Sequence, residues 1–353
     1  MDFRPGLEGV IAAETSLSLI DGEAGKLLYR GLPAGELAGK RSFEEVAHFL
    51  WSGVSDEHAR EAFCKHRELP SFLKKLLDGL PVDMGMMESL RTAVSALGSG
   101  AGWPPTPEEA LALTSVVPTI LAYRWRRVNG LAPVSPDGEL GHAANYLYML
   151  TGERPKPAHA EALEAYMVLT MEHGLNASTF AARVITSTQS DLYSAVTGAV
   201  GAMKGPLHGG APTGVVRMLD AIGTQANAER WLRETLERGE RLMGFGHRVY
   251  KTRDPRAVAL REVTERLAGD DPWFALAIDV EREATRLLEE YKPGRRLYAN
   301  VEFYAAAVLR AVALPEALFT PTFSAARTVG WTGHVLEQAS CNRIFRPKAR
   351  YVN

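Results

Sequence analysis

Apolar residues recur every three or four positions along most of this 353-residue chain, a spacing typical of amphipathic helices. Residues 43–50 show the pattern clearly, and Ser42 with Glu45 just before it predicts a capping box at the helix start. A helical segment between loops at 99–108 and 129–138 is predicted to break near Pro118, since proline lacks the amide proton that a helix interior needs. Further helices are predicted over 56–68, 71–78 and 86–97.

The second half of the chain carries longer periodic segments. Residues 158–204 predict two long helices that meet near 188–191, and the small residues on their faces suit close packing in the core or at a subunit interface. Later helices are predicted over 213–291, 301–314 and 320–338. Strand signals are few, apart from a short hairpin predicted around Asp21-Gly22. The pattern therefore predicts a mainly α fold.

The stretch 241–257, RLMGFGHRVYKTRDPRA, interrupts this helical pattern with glycines, one histidine and several cations. Asp254 and Pro255 predict the start of a helix, as N-cap and first helical residue. A helix N-terminus beside several cations suits a carboxylate or phosphate. A surface loop with a solvated basic edge is the alternative interpretation.

Composition excludes several classes of protein. Forty Lys and Arg balance 42 Asp and Glu, a formal charge of −2 that argues against a nucleic-acid-binding protein. Two cysteines without metal-ligand spacing predict neither a zinc site nor a disulfide framework. The N-terminus lacks the apolar region of a signal peptide, and the longest apolar run, 111–123, is too short to cross a membrane. We therefore expect a cytoplasmic protein that binds neither nucleic acid nor membrane.

The remaining candidates for chemistry are scattered along the chain. No phosphate-binding P-loop, GxSxG elbow or HExxH pair is present, and GFGHRV lacks the third glycine of a dinucleotide fingerprint. Each candidate also has a structural alternative: a satisfied core histidine, an internal salt bridge, a basic tail or a helix-start carboxylate. As a set they suit a small polyanionic acid with a polarised carbonyl and a carboxylate base. The set comprises His173, which is predicted inside a long apolar helix, His208, His247, Arg256, Arg327, Arg346 and Glu302.

The motifs that contain these residues resemble those of citrate synthases, in particular the short bacterial and archaeal type that forms dimers. EHGLNASTFAARV, GPLHGGA, GFGHRVYKTRDPRA, LFTPTFSAARTVGW, HVLEQ and RIFRPKARYV follow one another in the family's order over nearly the whole chain. The resemblance implies a large helical domain of residues 1–210 and 309–353. It also implies a small helical domain, 211–308, that closes over the substrates.

The resemblance implies the tricarboxylic acid cycle reaction, in which oxaloacetate condenses with acetyl-CoA and citryl-CoA is hydrolysed to citrate and CoA. It implies that His208 stabilises the enol, His247 polarises the ketone and Glu302 is the general base. It further implies oxaloacetate binding by His173, Arg256 and Arg327, with Arg346 contributed across a homodimer interface. Acyl-CoA is implied as a substrate, and neither a cofactor nor a metal is expected. The segment expected near CoA comprises Leu242, Gly244, Phe245, Gly246 and Lys251.

One position departs from the family pattern, because VEFYAAA stands where citrate synthases have an Asp-led NVDFYSG. The longer Glu302 side chain moves the carboxylate by about 1.5 Å, one bond length. A misplacement of about 1 Å can cost on the order of 10²-fold in rate. Two alternatives therefore stay open: a 2-methylcitrate synthase that uses propionyl-CoA, and a catalytically weak paralogue with a binding or regulatory role. The sequence does not discriminate the first of these from a citrate synthase, and the second rests on Glu302 with Ala305-Ala306.

Overall fold

The computed structural model of the protein describes residues 3–209, 211–247, 249–269 and 271–352. Its sheet has three antiparallel strands in the order β1-β2-β3: Ser18–Asp21, Lys26–Tyr29 and Leu32–Pro33. The hairpin predicted around Asp21-Gly22 is confirmed, and the register pairs Ser18 with Tyr29. The third strand was not predicted, because two residues carry no readable periodicity.

Among the described residues, 16 α-helices make up most of the fold, which confirms the predicted mainly α class. The first eight are α1 Ala34–Leu37, α2 Phe43–Ser52, α3 Ala59–Lys65, α4 Ser71–Gly79, α5 Met86–Leu97, α6 Pro107–Val128, α7 His142–Thr151 and α8 Pro157–Thr170. The others are α9 Ala177–Ser187, α10 Leu192–Met203, α11 Ala211–Ile222, α12 Gln225–Glu237, α13 Pro255–Arg266, α14 Pro272–Tyr291, α15 Val301–Ala311 and α16 Phe319–Ser340.

Helix α16 lies at the centre of the core. It packs against α2, α6, α8, α9 and α10, and its Trp331 and Val329 are fully buried. Helices α11 to α15 pack mainly on one another, and α13 and α15 also contact α8. The starts of α13 and α15 are joined by a hydrogen bond of 3.0 Å from the Val301 amide to the Asp254 carboxylate.

The predicted starts of α2 and α13, where the sequence carries N-cap residues, agree with the structure. Ser42 and Glu45 form both hydrogen bonds of the capping box at α2. Asp254 caps α13 by accepting from the amide of Arg256, and Pro255 is the first helical residue. Caps are local interactions, so a short sequence specifies them.

Two predictions about helix interiors are wrong. Helix α6 continues through Pro118, which lies buried in its middle. Tertiary packing on both sides of α6 outweighs the hydrogen bond that proline cannot make. The first long helix predicted over 158–187 is instead divided into α8 and α9 by a loop at 171–176. Gly174 in that loop has a positive φ of 58°, and Asn176 caps the new helix.

No helix in the described parts of the chain is long and apolar enough to cross a membrane.

Candidate active site

His173 lies in the loop between α8 and α9, and not inside a helix as the sequence pattern predicted. Buried Glu172 anchors this loop by accepting hydrogen bonds from the Gly174 amide, from Ser18 Oγ at 2.8 Å and from the His334 ring at 3.2 Å. The His173 ring thereby projects towards the segment that carries the second histidine, with ring centroids 6.2 Å apart.

Arg327 lies in the middle of α16 and is 2% exposed. Its Nε donates to the carbonyl oxygen of Thr170 at 2.7 Å, just before the His173 loop. Within the described residues, its other N–H groups have no hydrogen-bond partner and no carboxylate lies within ion-pair distance. A buried guanidinium is costly without an anion, so this arrangement suits a negatively charged ligand.

The loop that carries His247 is tied to the start of α15. Phe245 pairs with Ala299 in an isolated antiparallel bridge, and the Asn300 side-chain amide donates to the Gly246 carbonyl at 2.8 Å. Asn300 also caps α15 by accepting from the amide of Glu302 at 3.0 Å. Gly244 is required here, because its φ is 82° and an added Cβ would lie 2.9 Å from Phe303. The loop therefore fixes His247 relative to Glu302.

The hydrogen bonds of the His247 ring indicate which of its two nitrogens carries the proton. Nδ1 accepts from the backbone amides of Val249 and Tyr250, each at 3.0 Å, so it carries no proton. Burial and the Arg256 charge lower the pKa of His247 to about 4, which keeps the ring neutral with its proton on Nε2. The His247 Nε2 atom lies 3.3 Å from Arg256 Nη2, and both nitrogens are donors. Two donors facing each other call for an acceptor, such as a ligand oxygen, between or beside them.

Arg256 is 4% exposed and is held by Asp254 through two parallel hydrogen bonds of 3.0 and 2.9 Å. The same carboxylate accepts from the amide of Val301, the first residue of α15, at 3.0 Å. The Arg256 guanidinium lowers the pKa of the Asp254 carboxyl, so the buried pair is ionised. One carboxylate thus positions both Arg256 and the helix that carries Glu302.

Glu302 is the second residue of α15, beside Asn300 at the helix N-terminus. Burial raises the pKa of Glu302 to about 6, although the nearby Arg256 and Arg327 charges oppose the rise. The carboxylate is therefore mostly ionised at pH 7 and is a stronger base than an exposed glutamate.

His208 lies in the turn between α10 and α11, and its Nε2 is 2.8 Å from Ser178 Oγ. Trp331 already donates to that hydroxyl, so its single hydrogen goes either to Asn176 Oδ1 at 2.8 Å or to His208. In the second arrangement His208 carries its proton on Nδ1 and can donate it to a ligand. Burial and the Arg327 charge lower the pKa of His208 to about 4, so the ring is neutral.

The segment expected near CoA contributes to a cavity of about 240 Å³. Leu242 and Phe245 line it together with the cations Lys292 and Arg295. The exposed Lys251 does not line this cavity, and its backbone amide donates to the Gly22 carbonyl at 2.9 Å.

Arg346 does not join the cluster formed by the other candidates. It is exposed and lines a separate cavity of about 820 Å³, together with Arg183, Glu337 and residues 12–16, which lie outside any helix or strand.

The sequence did not single out three residues that contact this cluster. Tyr250 contacts both His173 and His247, Ser178 contacts His208, and Asn300 joins the His247 loop to α15. Each lies within six residues of a candidate in sequence, so proximity to a motif was the only available signal. Their contacts depend on how distant segments pack.

The assembled site has the parts for carbon–carbon bond formation between a carbonyl and an acidified methyl or methylene. Two buried guanidiniums suit carboxylates, one neutral imidazole offers Nε2–H to a carbonyl oxygen, and a carboxylate of raised pKa can remove a proton. His208, on a different loop, offers a second neutral imidazole.

Comparisons with known proteins agree with this chemistry. The family model for the citrate synthase C-terminal domain matches residues 6–348. A citrate synthase of Haloferax volcanii is 41% identical over 374 residues, covering 99% of this chain and 96% of the relative. A 2-methylcitrate synthase of Mycobacterium tuberculosis is 40% identical over 369 residues, covering 99% and 90%. The citrate synthase of Thermoplasma acidophilum, solved as a ternary complex with carboxymethyl coenzyme A and oxaloacetate, has a TM-score of 0.88 at 28% identity, covering 100% of this chain and 96% of that one.

The fold and these relatives define an enzyme of the citrate synthase type, which carries out a condensation. The chain belongs to the citrate synthase family.

Proposed function

We propose that the protein condenses oxaloacetate with acetyl-CoA and hydrolyses the resulting citryl-CoA to citrate and CoA. The observation that carries this proposal is the pair of donors, Arg256 Nη2 and His247 Nε2, that face each other at 3.3 Å. A 2-oxo acid meets both, since its carboxylate accepts from the guanidinium and its ketone oxygen from the imidazole. Arg327, which has no anionic partner among the described residues, suits a second carboxylate.

In the first step Glu302 removes a proton from the acetyl methyl group. This proton is weakly acidic, so a donor on the thioester oxygen must stabilise the enol as it forms. His208 supplies that donor when Ser178 donates to its Nε2, because its own proton is then on Nδ1. Its lowered pKa keeps His208 neutral at pH 7, so it acts as a hydrogen-bond donor.

In the second step the enol carbon attacks the ketone carbon of oxaloacetate. The developing alkoxide is stabilised by His247 Nε2–H and by the Arg256 charge, and it takes up one proton to become the hydroxyl of citryl-CoA. Water then adds to the thioester carbonyl of citryl-CoA, the carbon–sulfur bond breaks and CoA leaves as the thiol.

The CoA segment also has support in the structure. The cavity beside Leu242 and Phe245 has apolar walls and is lined by the cations Arg241, Lys292 and Arg295, which suit a nucleotide with phosphates. Leu207, next to His208, is fully exposed and offers an apolar contact for the pantetheine arm.

We further propose a homodimer in which Arg346 reaches the site of the partner subunit. Arg346 lies outside its own chain's cluster, on an extended C-terminal segment with exposed Ile344, Tyr351 and Val352. We also propose that residues 211–308 form a smaller domain that closes over the substrates. Closure would exclude water, which strengthens the contacts to the enol and protects the thioester before condensation.

The similar enzymes do not indicate whether the substrate is acetyl-CoA or propionyl-CoA, because a citrate synthase is 41% identical and a 2-methylcitrate synthase is 40% identical. The test is release of free thiol from acetyl-CoA and from propionyl-CoA, with and without oxaloacetate, for the native chain and Glu302→Asp. We expect oxaloacetate-dependent release from acetyl-CoA by the native protein. Activity with propionyl-CoA alone would assign the 2-methylcitrate reaction instead. An inert native protein with an active Glu302→Asp variant would indicate a paralogue without this catalytic role.

A further inference from the structure

Tyr250 occupies a position between the two imidazoles of the proposed oxaloacetate site. It is 3% exposed, and its ring centroid lies 5.8 Å from that of His173 and 4.8 Å from that of His247. The Arg256 guanidinium carbon lies 5.8 Å from the same ring. One side chain therefore contacts three groups proposed to bind the same substrate.

The tyrosine hydroxyl has one hydrogen-bond partner among the described residues, His173 Nε2 at 3.1 Å. A buried hydroxyl whose hydrogen is left without an acceptor is costly. The arrangement that satisfies it has Tyr250 O–H donating to a bare His173 Nε2. The alternative, in which His173 donates to the tyrosine oxygen, leaves the hydroxyl hydrogen without an acceptor in the described structure.

His173 carries one proton, because burial and the Arg256 and Arg327 charges lower its pKa well below the usual value. If Nε2 accepts from Tyr250, that proton is on Nδ1, which has no hydrogen-bond partner among the described residues. A ligand carboxylate can accept from Nδ1–H, whereas a bare nitrogen would repel it.

We propose that Tyr250 is a positioning residue for oxaloacetate, because its hydroxyl fixes the Nδ1–H tautomer of His173 while its backbone amide, together with that of Val249, fixes the Nε2–H tautomer of His247. Tyr250 thereby helps to set the proton of both imidazoles, so that each donates towards the ligand. This inference deepens the proposed function and rests on it for the identity of the ligand.

The first test is the imidazole ¹⁵N spectrum of the ligand-free protein labelled at histidine, with the His173 signals assigned by their loss in His173→Gln. We expect a protonated Nδ1 and a bare Nε2 for His173. A protonated Nε2 would overturn the proposal whatever the variants show. This measurement does not depend on turnover, so it stands even if the protein releases no thiol and the proposed function fails.

The second test compares Tyr250→Phe with Tyr148→Phe, which removes a hydroxyl in α7 outside the site. Tyr250→Phe keeps the ring and the backbone amide, so the fold and the His247 tautomer are retained. We expect the oxaloacetate dissociation constant, measured by calorimetry, to rise about tenfold, the effect of one lost buried hydrogen bond. The His173 spectrum should also change to a mixture of tautomers. Unchanged affinity with an unchanged spectrum would overturn the proposal, and so would equal effects of the two substitutions.

Discussion

Glu302 gives the most quantitative prediction, because its protonation state is expected to control the rate. Burial raises the pKa of its carboxyl from 4.5 to about 6. The ionised fraction is then about 0.9 at pH 7 and about 0.09 at pH 5, a tenfold loss of the active base. A glutamate at its ordinary pKa would lose only about a quarter of its ionised form over that range.

Protonation of the neighbouring imidazoles should not contribute to the fall in rate between pH 7 and pH 5. Burial lowers the pKa of both His208 and His247 to about 4, so both rings stay neutral between pH 5 and 8. The assay is the pH dependence of kcat/KM for acetyl-CoA, which reports groups of the enzyme before acetyl-CoA binds. We expect kcat/KM to fall about tenfold from pH 7 to pH 5. A profile that is flat to pH 5 would refute the assignment of Glu302 as a buried base.

The same raised pKa makes a prediction about stability with a definite sign. The folded protein holds the Glu302 proton more tightly than the unfolded chain does, so stability is lost as the pH rises from 4.5 through about 6. A pKa raised from 4.5 to about 6 corresponds to at most about 2 kcal/mol at pH 7. Glu302→Gln should therefore abolish thiol release and yet raise the melting temperature at pH 7 by a few degrees, an increase that disappears towards pH 4. A variant that is inactive and also less stable at pH 7 would contradict the conclusion that burial of the ionised Glu302 carboxylate destabilises the fold.

Three further predictions concern the groups around this base. His208→Ala should lower kcat by about 10²–10³-fold without weakening oxaloacetate binding by calorimetry, and full activity would remove the enol-stabilising role. Asp254→Asn should raise the KM for oxaloacetate and lower the free energy of unfolding in urea by about 3 kcal/mol, because buried Arg256 loses its counter-ion. Unchanged stability would contradict that pairing. Gly22→Ala should lower kcat/KM, because a Cβ there would lie 2.3 Å from a carbonyl oxygen of the segment after His247. Gly138→Ala is the matched control, since nothing lies within 4 Å of that Cβ.

Local signals allowed parts of the fold to be predicted from sequence. The capping box at Ser42 and the Asp254-Pro255 start of α13 involve residues within a few positions of one another. Pro118 misled the prediction for a physical reason: its effect on a helix depends on the surrounding packing, which the local sequence does not contain. The loop that carries His173 was missed because its apolar neighbours continue the helical period, while a glycine and an N-cap asparagine interrupt it.

The candidate site was predictable in its residue types and less so in its geometry. His247, Arg256 and Glu302 lie together because one loop and two helix starts are joined through Asp254 and Asn300. These contacts connect residues that are 47 and 54 positions apart in the sequence. The orientation of each imidazole depends on partners that no local pattern marks. Arg346 lies apart from the cluster, and its role in a partner subunit stays a prediction.

We propose that this site joins the acetyl group of acetyl-CoA to oxaloacetate. The most direct measurement uses acetyl-CoA labelled with ¹³C at both acetyl carbons and follows free thiol and labelled product together. We predict citrate that carries both labelled carbons, formed in equal amount to the thiol and only when oxaloacetate is present. Thiol release with the label recovered as acetate, or no release under any condition, would contradict condensation at this site.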